Sequence, residues 1–355
     1  MRYPGMDLID KIVSYASDAH GKQQRSKASE NTPNADSLGS GYSATVRYLT
    51  NRKPGDDENT LFGSERERSQ PYHYGEITVE LPIFADHKQW EEIFTAEAEN
   101  ESAWAQSIIH RAKDVTAFEQ EAATLNGDTL VYIHGYNTNF REAVKGLLQW
   151  ACMANFTGNL YLFSWPSLSR FTEYAADKET AVWSSLTLSR MLDTLRRQRS
   201  HRLHIVAHSM GSVALMSALQ LLPRKPRKPF ANIILAAPDL DAQFFQDVLW
   251  PSLNGLASGW SVYYSETDVA LMLSRKINTH PRLGSTVLAL EGVDFIDASN
   301  PEINYAELIN SHAYHERKHH VVKDILRLIK GRAPHQRALQ KHPNHKHRAW
   351  KLFKS

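Results

Sequence analysis

A series of short apolar runs, separated by stretches with helical periodicity, restricts this chain more than any other feature. They fall at 130–133, 160–163, 203–207, 232–236, 260–264 and 286–290, with helical patterns at 140–150, 177–198, 210–222 and 321–329 between or after them. A strand apolar along its whole length is buried on both faces. Strands of that kind, alternating with helices, are joined by crossovers into a parallel sheet. The expected fold is therefore α/β, a mostly parallel sheet with helices on both faces. Ligands in such sheets bind at the carboxyl ends of the strands.

Ahead of this series, 44–50 reads as a strand, 54–57 as a turn and 75–82 as a second strand. These form an N-terminal β extension, either an added sheet edge or a small lobe. Residues 7–16 have the spacing of a short amphipathic helix, and 21–41 the polar composition of a flexible linker. Four parts follow: helix and linker (1–43), β-containing extension (44–125), main domain (126–331) and basic tail (332–355). The tail has arginines, lysines, four histidines and no acid, with Trp350, Leu352 and Phe353 interleaved near its end. It is expected to be disordered. Its sharper reading is a weak contact with an anionic surface.

With 42% hydrophobic and 23% charged residues and a net charge of +2, the 355-residue chain has the composition of a soluble globular protein, and no specific nucleic-acid partner is expected. Cys152, the lone cysteine, reads as a buried packing residue and allows no intrachain disulfide. The first residues lack the apolar core of a signal peptide, and no run approaches about 18 apolar residues. A cytoplasmic location is the expectation. Histidines and carboxylates at metal-ligand spacing are absent from the sequence, as are phosphate-loop and dinucleotide glycine patterns, so neither metal nor cofactor is expected.

Ala207-His208-Ser209-Met210-Gly211 stands between a strand and a helix. A serine on so tight a turn needs small residues two positions either side, and its Oγ is then presented at the sheet's carboxyl edge. Ser209 is the candidate nucleophile. Such a serine needs a base, an orienting acid and oxyanion donors. The acid and then the histidine follow it in chain order in folds with this turn. Asp268 ends the 260–264 strand region and is the preferred acid; Asp239 and Asp241, after 232–236, compete for the role. Asp294 and Asp297 read as loop or capping residues. His312 is the preferred base, with His315, His319 and His320 close behind. Met210 and Tyr136 supply the expected oxyanion amides, and Gly135 allows close backbone approach. His134 and His208 read as supporting residues, and Trp165 as a pocket wall or a packing residue.

Five segments together carry a resemblance: 133–137 (Ile-His-Gly-Tyr-Asn), 163–167 (Phe-Ser-Trp-Pro-Ser), 207–211, 235–239 and 311–314, with the 46–52 strand ahead of them. The set resembles a bacterial α/β-hydrolase family carried as a domain of unknown function, over about residues 44 to 330. The resemblance implies the α/β-hydrolase fold and a serine triad, and an elbow that commonly begins with alanine, as at Ala207. The function expected is hydrolysis of a small-molecule or lipid-like carboxylic ester through an acyl-enzyme. A catalytically silent scaffold, bound to a protein partner or to an anionic membrane through the basic tail, is the alternative.

Overall fold

The computed structural model describes residues 42–56, 60–81, 108–168, 173–197, 201–223, 228–299, 312–345 and 347–353. The expected helix at 7–16 and linker at 21–41 lie outside them.

Backbone pairing joins β1 (Tyr42–Thr50), β4 (His73–Leu81), β5 (Ile108–Lys113), β6 (Gly127–Ile133), β7 (Asn159–Ser164), β8 (His201–His208), β9 (Phe230–Ala236), β10 (Ala257–Tyr264), β11 (Val293–Asp297), β12 (Leu339–Lys341) and β13 (Ala349–Leu352) into one 11-stranded sheet. Its order is β12-β13-β11-β10-β9-β8-β6-β7-β1-β4-β5. Every neighbouring pair from β13 to β1 is parallel, and the antiparallel pairs β12/β13, β1/β4 and β4/β5 sit at the two edges. A two-stranded ribbon, β2 (Arg52–Pro54) with β3 (Phe62–Arg66), stands apart.

The two-residue repeat of a strand sends neighbouring side chains to opposite faces. Val131 and Ile133, Tyr161 and Phe163, Ile205 and Ala207 enter one core. Leu130 and Tyr132, Leu160 and Leu162, and Val206 enter the other. The first core is closed by α1 (Val115–Thr124), α3 (Tyr174–Trp183), α4 (Ser185–Arg196) and α5 (Gly211–Gln220), the second by α2 (Phe140–Ala154) and α7 (His319–Ile329). α6 (Val269–Asn278) follows β10. This is the doubly covered parallel sheet that the apolar runs imply.

The extension is no separate lobe. Val46 to Thr50 pair in parallel with Leu160 to Ser164, so β1 continues the main sheet. One helix expected over 177–198 is two, α3 and α4, divided at Ser184. The expected strand at 286–290 is absent; these residues follow a 3-10 turn, and Val287 and Leu288 pack against the core without joining the ladder. The strand is Val293–Asp297, after a left-handed turn at Gly292 with φ 87°.

The tail departs most from expectation. It is folded over 332–345 and 347–353, and β13 pairs in parallel with β11. Arg337 is fully buried and grips Asp324 of α7 bidentately, Nε to Oδ1 at 3.0 Å and Nη2 to Oδ2 at 2.7 Å. Tyr263 O–H donates to the same carboxylate at 2.7 Å. Arg348 forks onto Asp294 at 2.9 and 2.8 Å, and Trp350 Nε1 donates to it at 2.8 Å. Local composition reads these arginines as solvated because their carboxylates lie 13 and 54 residues away.

Breaking a buried pair strands the surviving charge, so Arg337→Met should destabilise the protein by about 3–5 kcal/mol, read from urea unfolding. His204, buried on β8, has Nε2 3.3 Å from Asp128 Oδ1 and Nδ1 2.9 Å from Asn232 Nδ2. Burial lowers its pKa from 6.5 to about 4, against the opposing pull of Asp128. Between those values the unfolded chain binds the extra proton, so the stability present above pH 6.5 declines as the pH falls toward 4. Replacing His204 with Asn should reduce that pH slope by up to about 1.4 kcal/mol per pH unit in unfolding titrations.

Candidate active site

Ser209 occupies the turn between β8 and α5 with φ 51°, left-handed for a residue that carries a Cβ. Backbone bonds impose it. Ser209 N–H donates to Ala236 O at 3.0 Å, and its carbonyl accepts from Ser212 N–H at 3.0 Å and Asp239 N–H at 3.2 Å. Two residues on, a Cβ at Gly211 would meet His134 O at 2.4 Å and Ile133 O at 2.8 Å. The helix therefore crosses against the end of β6 only because Gly211 has no side chain. Ala207, on the other flank, is fully buried and accommodates its methyl.

Asp268 and His312 come together from separate segments. Asp268 is fully buried at the N-cap of α6, where Oδ1 accepts from Leu271 N–H at 3.1 Å. Its Oδ2 accepts from His312 Nδ1–H at 2.8 Å. A carboxylate only accepts, so the proton sits on Nδ1 and His312 Nε2 carries a lone pair. The His312 side chain is 18% exposed, in a short turn ahead of α7. That segment is anchored by Tyr314 O–H on Tyr263 O at 2.7 Å, and by His208 Nε2–H on His312 O at 3.2 Å.

The rival acids are occupied elsewhere. Asp239 accepts from Arg282 Nε at 2.7 Å, Ser274 Oγ at 2.5 Å and Tyr174 O–H at 2.7 Å. Asp241 caps the helical stretch 242–253 through Phe244 N–H. Asp294 holds Arg348 and Trp350, as described above. His315 is buried, stacked on Tyr132 with its Nε2 3.2 Å from the phenol oxygen. His319 and His320 begin α7.

The loop after β6 lies against the elbow. A Cβ at Gly135 would sit 3.0 Å from Ser209 Cβ and 2.8 Å from His208 Nδ1. His134 Nδ1–H donates to Gly135 O at 2.8 Å. Trp165 is fully buried, stacks on the His134 ring at 5.1 Å, and donates Nε1–H to His134 O at 2.9 Å. It clamps His134 from within the core; as a pocket wall it is ruled out by burial. Tyr136 packs edge-on against Tyr174 at 5.6 Å. Met210 is the N-cap residue of α5, where the helix dipole favours negative charge. The His208 ring lies 4.7 Å from His312 and 4.2 Å from His315. Burial, reinforced by those neighbouring histidines, holds its pKa well below the usual range, so it is a neutral support.

Sequence reasoning missed Arg52. This fully buried guanidinium spans the loops after β6 and β7. Its sequence signal is a cation two residues past the end of β1, at the close of the 46–52 segment. Asp177, also missed, accepts from Ser167 Oγ at 2.5 Å and Leu168 N–H at 2.8 Å, fixing the second loop. A separate cleft of about 370 Å³, lined by Asn126, Asp128, Phe156 and Lys330 among others, opens at the amino ends of β6 and β7, the opposite edge from Ser209. Among the described residues, no group of three or more histidines, cysteines or carboxylates is placed to hold a metal, and no helix is long and apolar enough to cross a membrane.

No curated protein matches the sequence. Among solved structures, a YdeN-like hydrolase from Pectobacterium atrosepticum is similar at 13% identity and a TM-score of 0.33, over 61% of this chain and 98% of that one. An uncharacterised protein from Capnocytophaga ochracea is similar at 9% identity and a TM-score of 0.34, over 72% of this chain and 59% of that one. The family described as alpha/beta hydrolase of unknown function (DUF900) matches residues 111–332, more than half of the sequence. With its doubly covered parallel sheet and the serine elbow at its carboxyl edge, the chain belongs to this family of α/β hydrolases.

Proposed function

We propose that the protein hydrolyses carboxylic esters, of small-molecule or lipid-like type, through an acyl-enzyme on Ser209. Ser209 Oγ attacks the ester carbonyl while His312 Nε2 takes its proton. The tetrahedral oxyanion is held by the amides of Tyr136 and Met210. Collapse expels the alcohol, which leaves with the proton from His312. Water, deprotonated by the same nitrogen, then attacks the acyl carbonyl and releases the carboxylic acid and free Ser209. Asp268 keeps His312 in the Nδ1–H tautomer and balances the imidazolium. No cofactor enters the scheme.

The observation that supports this reading is the 2.8 Å bond between buried Asp268 and His312, residues 44 apart, with His312 packed on His208, the residue before a serine held left-handed. A structural carboxylate is served as well by the arginine that Asp239 has; a carboxylate directed at an imidazole Nδ1 puts the lone pair on Nε2. The silent-scaffold alternative loses support, because Arg337 of its anionic-surface anchor is buried on Asp324.

A fluorophosphonate probe should form one adduct, mapped by mass spectrometry to Ser209 and lost in Ser209→Ala. Labelling should slow as the pH falls through roughly 6 to 7, where an ordinary imidazole protonates. A folded protein that takes no adduct, or takes it elsewhere, sinks the proposal. Asp268→Asn should lower kcat by about 10⁴-fold by favouring the wrong tautomer of His312. Steady-state ester hydrolysis within tenfold of the parent protein would remove Asp268 from the scheme.

A further inference from the structure

Arg52 begins β2, two residues beyond the Thr50–Ser164 pair that ends the β1/β7 ladder, so its side chain enters at the carboxyl edge of the sheet. A guanidinium has five N–H donors, and each has an acceptor here. Nε donates to Ser164 Oγ at 2.9 Å. Nη1 faces Gly63 O at 3.1 Å and Ser167 O at 3.4 Å. Nη2 faces Thr138 O at 2.7 Å and His134 Nε2 at 3.4 Å. All five acceptors are uncharged, and Asp177 and Glu142 act on the cation only through space. Burying a charge without a contacting counter-charge is a poor way to gain stability, since apolar residues of similar volume do as well or better. What the residue does achieve is to tie together the loop after β6, the loop after β7 and the ribbon strand β3.

The consequence is sharpest at His134. Its Nε2 faces two donors, Arg52 Nη2–H and Ser164 O–H at 3.3 Å. Nδ1 faces Gly135 O, which only accepts. The neutral ring therefore carries its proton on Nδ1. Trp165 O, 3.1 Å from Nε2, favours the other tautomer. That tautomer, however, sets a lone pair against Gly135 O at 2.8 Å and an N–H against the guanidinium. Gly135 C=O and Tyr136 N–H are opposite ends of one planar trans peptide, so holding the carbonyl aims the amide.

We propose that Arg52 is a positioning residue of the oxyanion hole, locking His134 in the Nδ1–H tautomer so that the Gly135–Tyr136 peptide directs its N–H at the oxyanion beside Ser209. The β extension is then part of the active site. This inference rests on the reading of Ser209 as nucleophile, and the test separates the two.

Arg52→Lys keeps the charge but has no planar fork to span the acceptors. With p-nitrophenyl butyrate as substrate, and active sites counted by fluorophosphonate labelling, kcat per labelled site should fall by about 10²-fold with KM little changed. His134→Asn retains a donor near the Nδ1 position and removes the nitrogen that Arg52 addresses. In that background Arg52→Lys should cost less than about threefold, the non-additivity expected of residues acting in series. A purely structural arginine would lower the labelled fraction and the melting temperature without changing kcat per site, or would cost the same in both backgrounds. Either result overturns the proposal. Independently of turnover, ring ¹⁵N shifts of His134 in the wild-type protein should report the Nδ1–H tautomer. An Nε2–H tautomer overturns the role of Arg52 and leaves the Ser209 reading standing. Failure of the wild-type protein to label, with the Nδ1–H tautomer present, overturns the Ser209 reading and the oxyanion role with it.

Discussion

At the centre of the molecule α5 passes so close beneath the end of β6 that its first residue has room for a hydrogen and nothing larger. Gly211 sits under the carbonyls of Ile133 and His134, and this contact fixes how far the helix start is drawn toward the sheet. With the helix held there, the chain leaving β8 must turn within Ser209 and Met210, which drives Ser209 into the left-handed region. A left-handed non-glycine residue costs on the order of 1–2 kcal/mol. The surrounding backbone bonds, to Ala236, Ser212 and Asp239, offset it. The serine's direction is thus a property of the sheet and not of a flexible loop.

Around this crossing the protein uses buried charge in two ways. Asp324 with Arg337, and Asp239 with Arg282, are bidentate or multiply bonded pairs that staple segments distant in sequence. Asp268 and Arg52 are built differently. Asp268 is satisfied by a helix amide and an imidazole, and Arg52 by carbonyls, a hydroxyl and an imidazole. Neither has an opposite full charge in contact. A partner that cannot fully neutralise a charge leaves a field at the site, and both fields act on a histidine.

The parallel centre of the sheet was legible in the sequence because strands buried on both faces show as continuous apolar runs, and 130–133, 160–163 and 203–207 are short enough to exclude helices. The elbow was legible because its small residues flank a serine between a strand and a helix. What escaped depends on partners far along the chain. Arg337 reads as part of a solvated tail until Asp324 is placed beside it, and the exposed Arg348 shows no sign of its pairing with Asp294. The apolar run at 286–290 satisfies the pattern of a strand, but hydrogen-bond register selects 293–297. Asp239 and Asp268 both follow strands, and only the position of Arg282 against one and His312 against the other distinguishes them. Arg52 left no local signal of its five acceptors, which come from the end of β7, the loops after β6 and β7, and the ribbon strand β3.

The order of strands also dictates the order of assembly. β6, β7, β8, β9 and β10 are neighbours built from consecutive stretches of chain, and they can pair as they emerge from the ribosome. β1 is synthesised before all of them, yet its parallel partner β7 begins more than a hundred residues later. β13 pairs in parallel with β11 only after β12 has been made between them in the chain. Closing such long loops is entropically costly and slow, and it exposes unpaired strand edges in the meantime. Arg52, carried on the heels of β1, reaches the loops it binds only after that strand has docked. The bonds that hold the serine turn involve none of β1, so that turn can form before the Gly135–Tyr136 peptide is held.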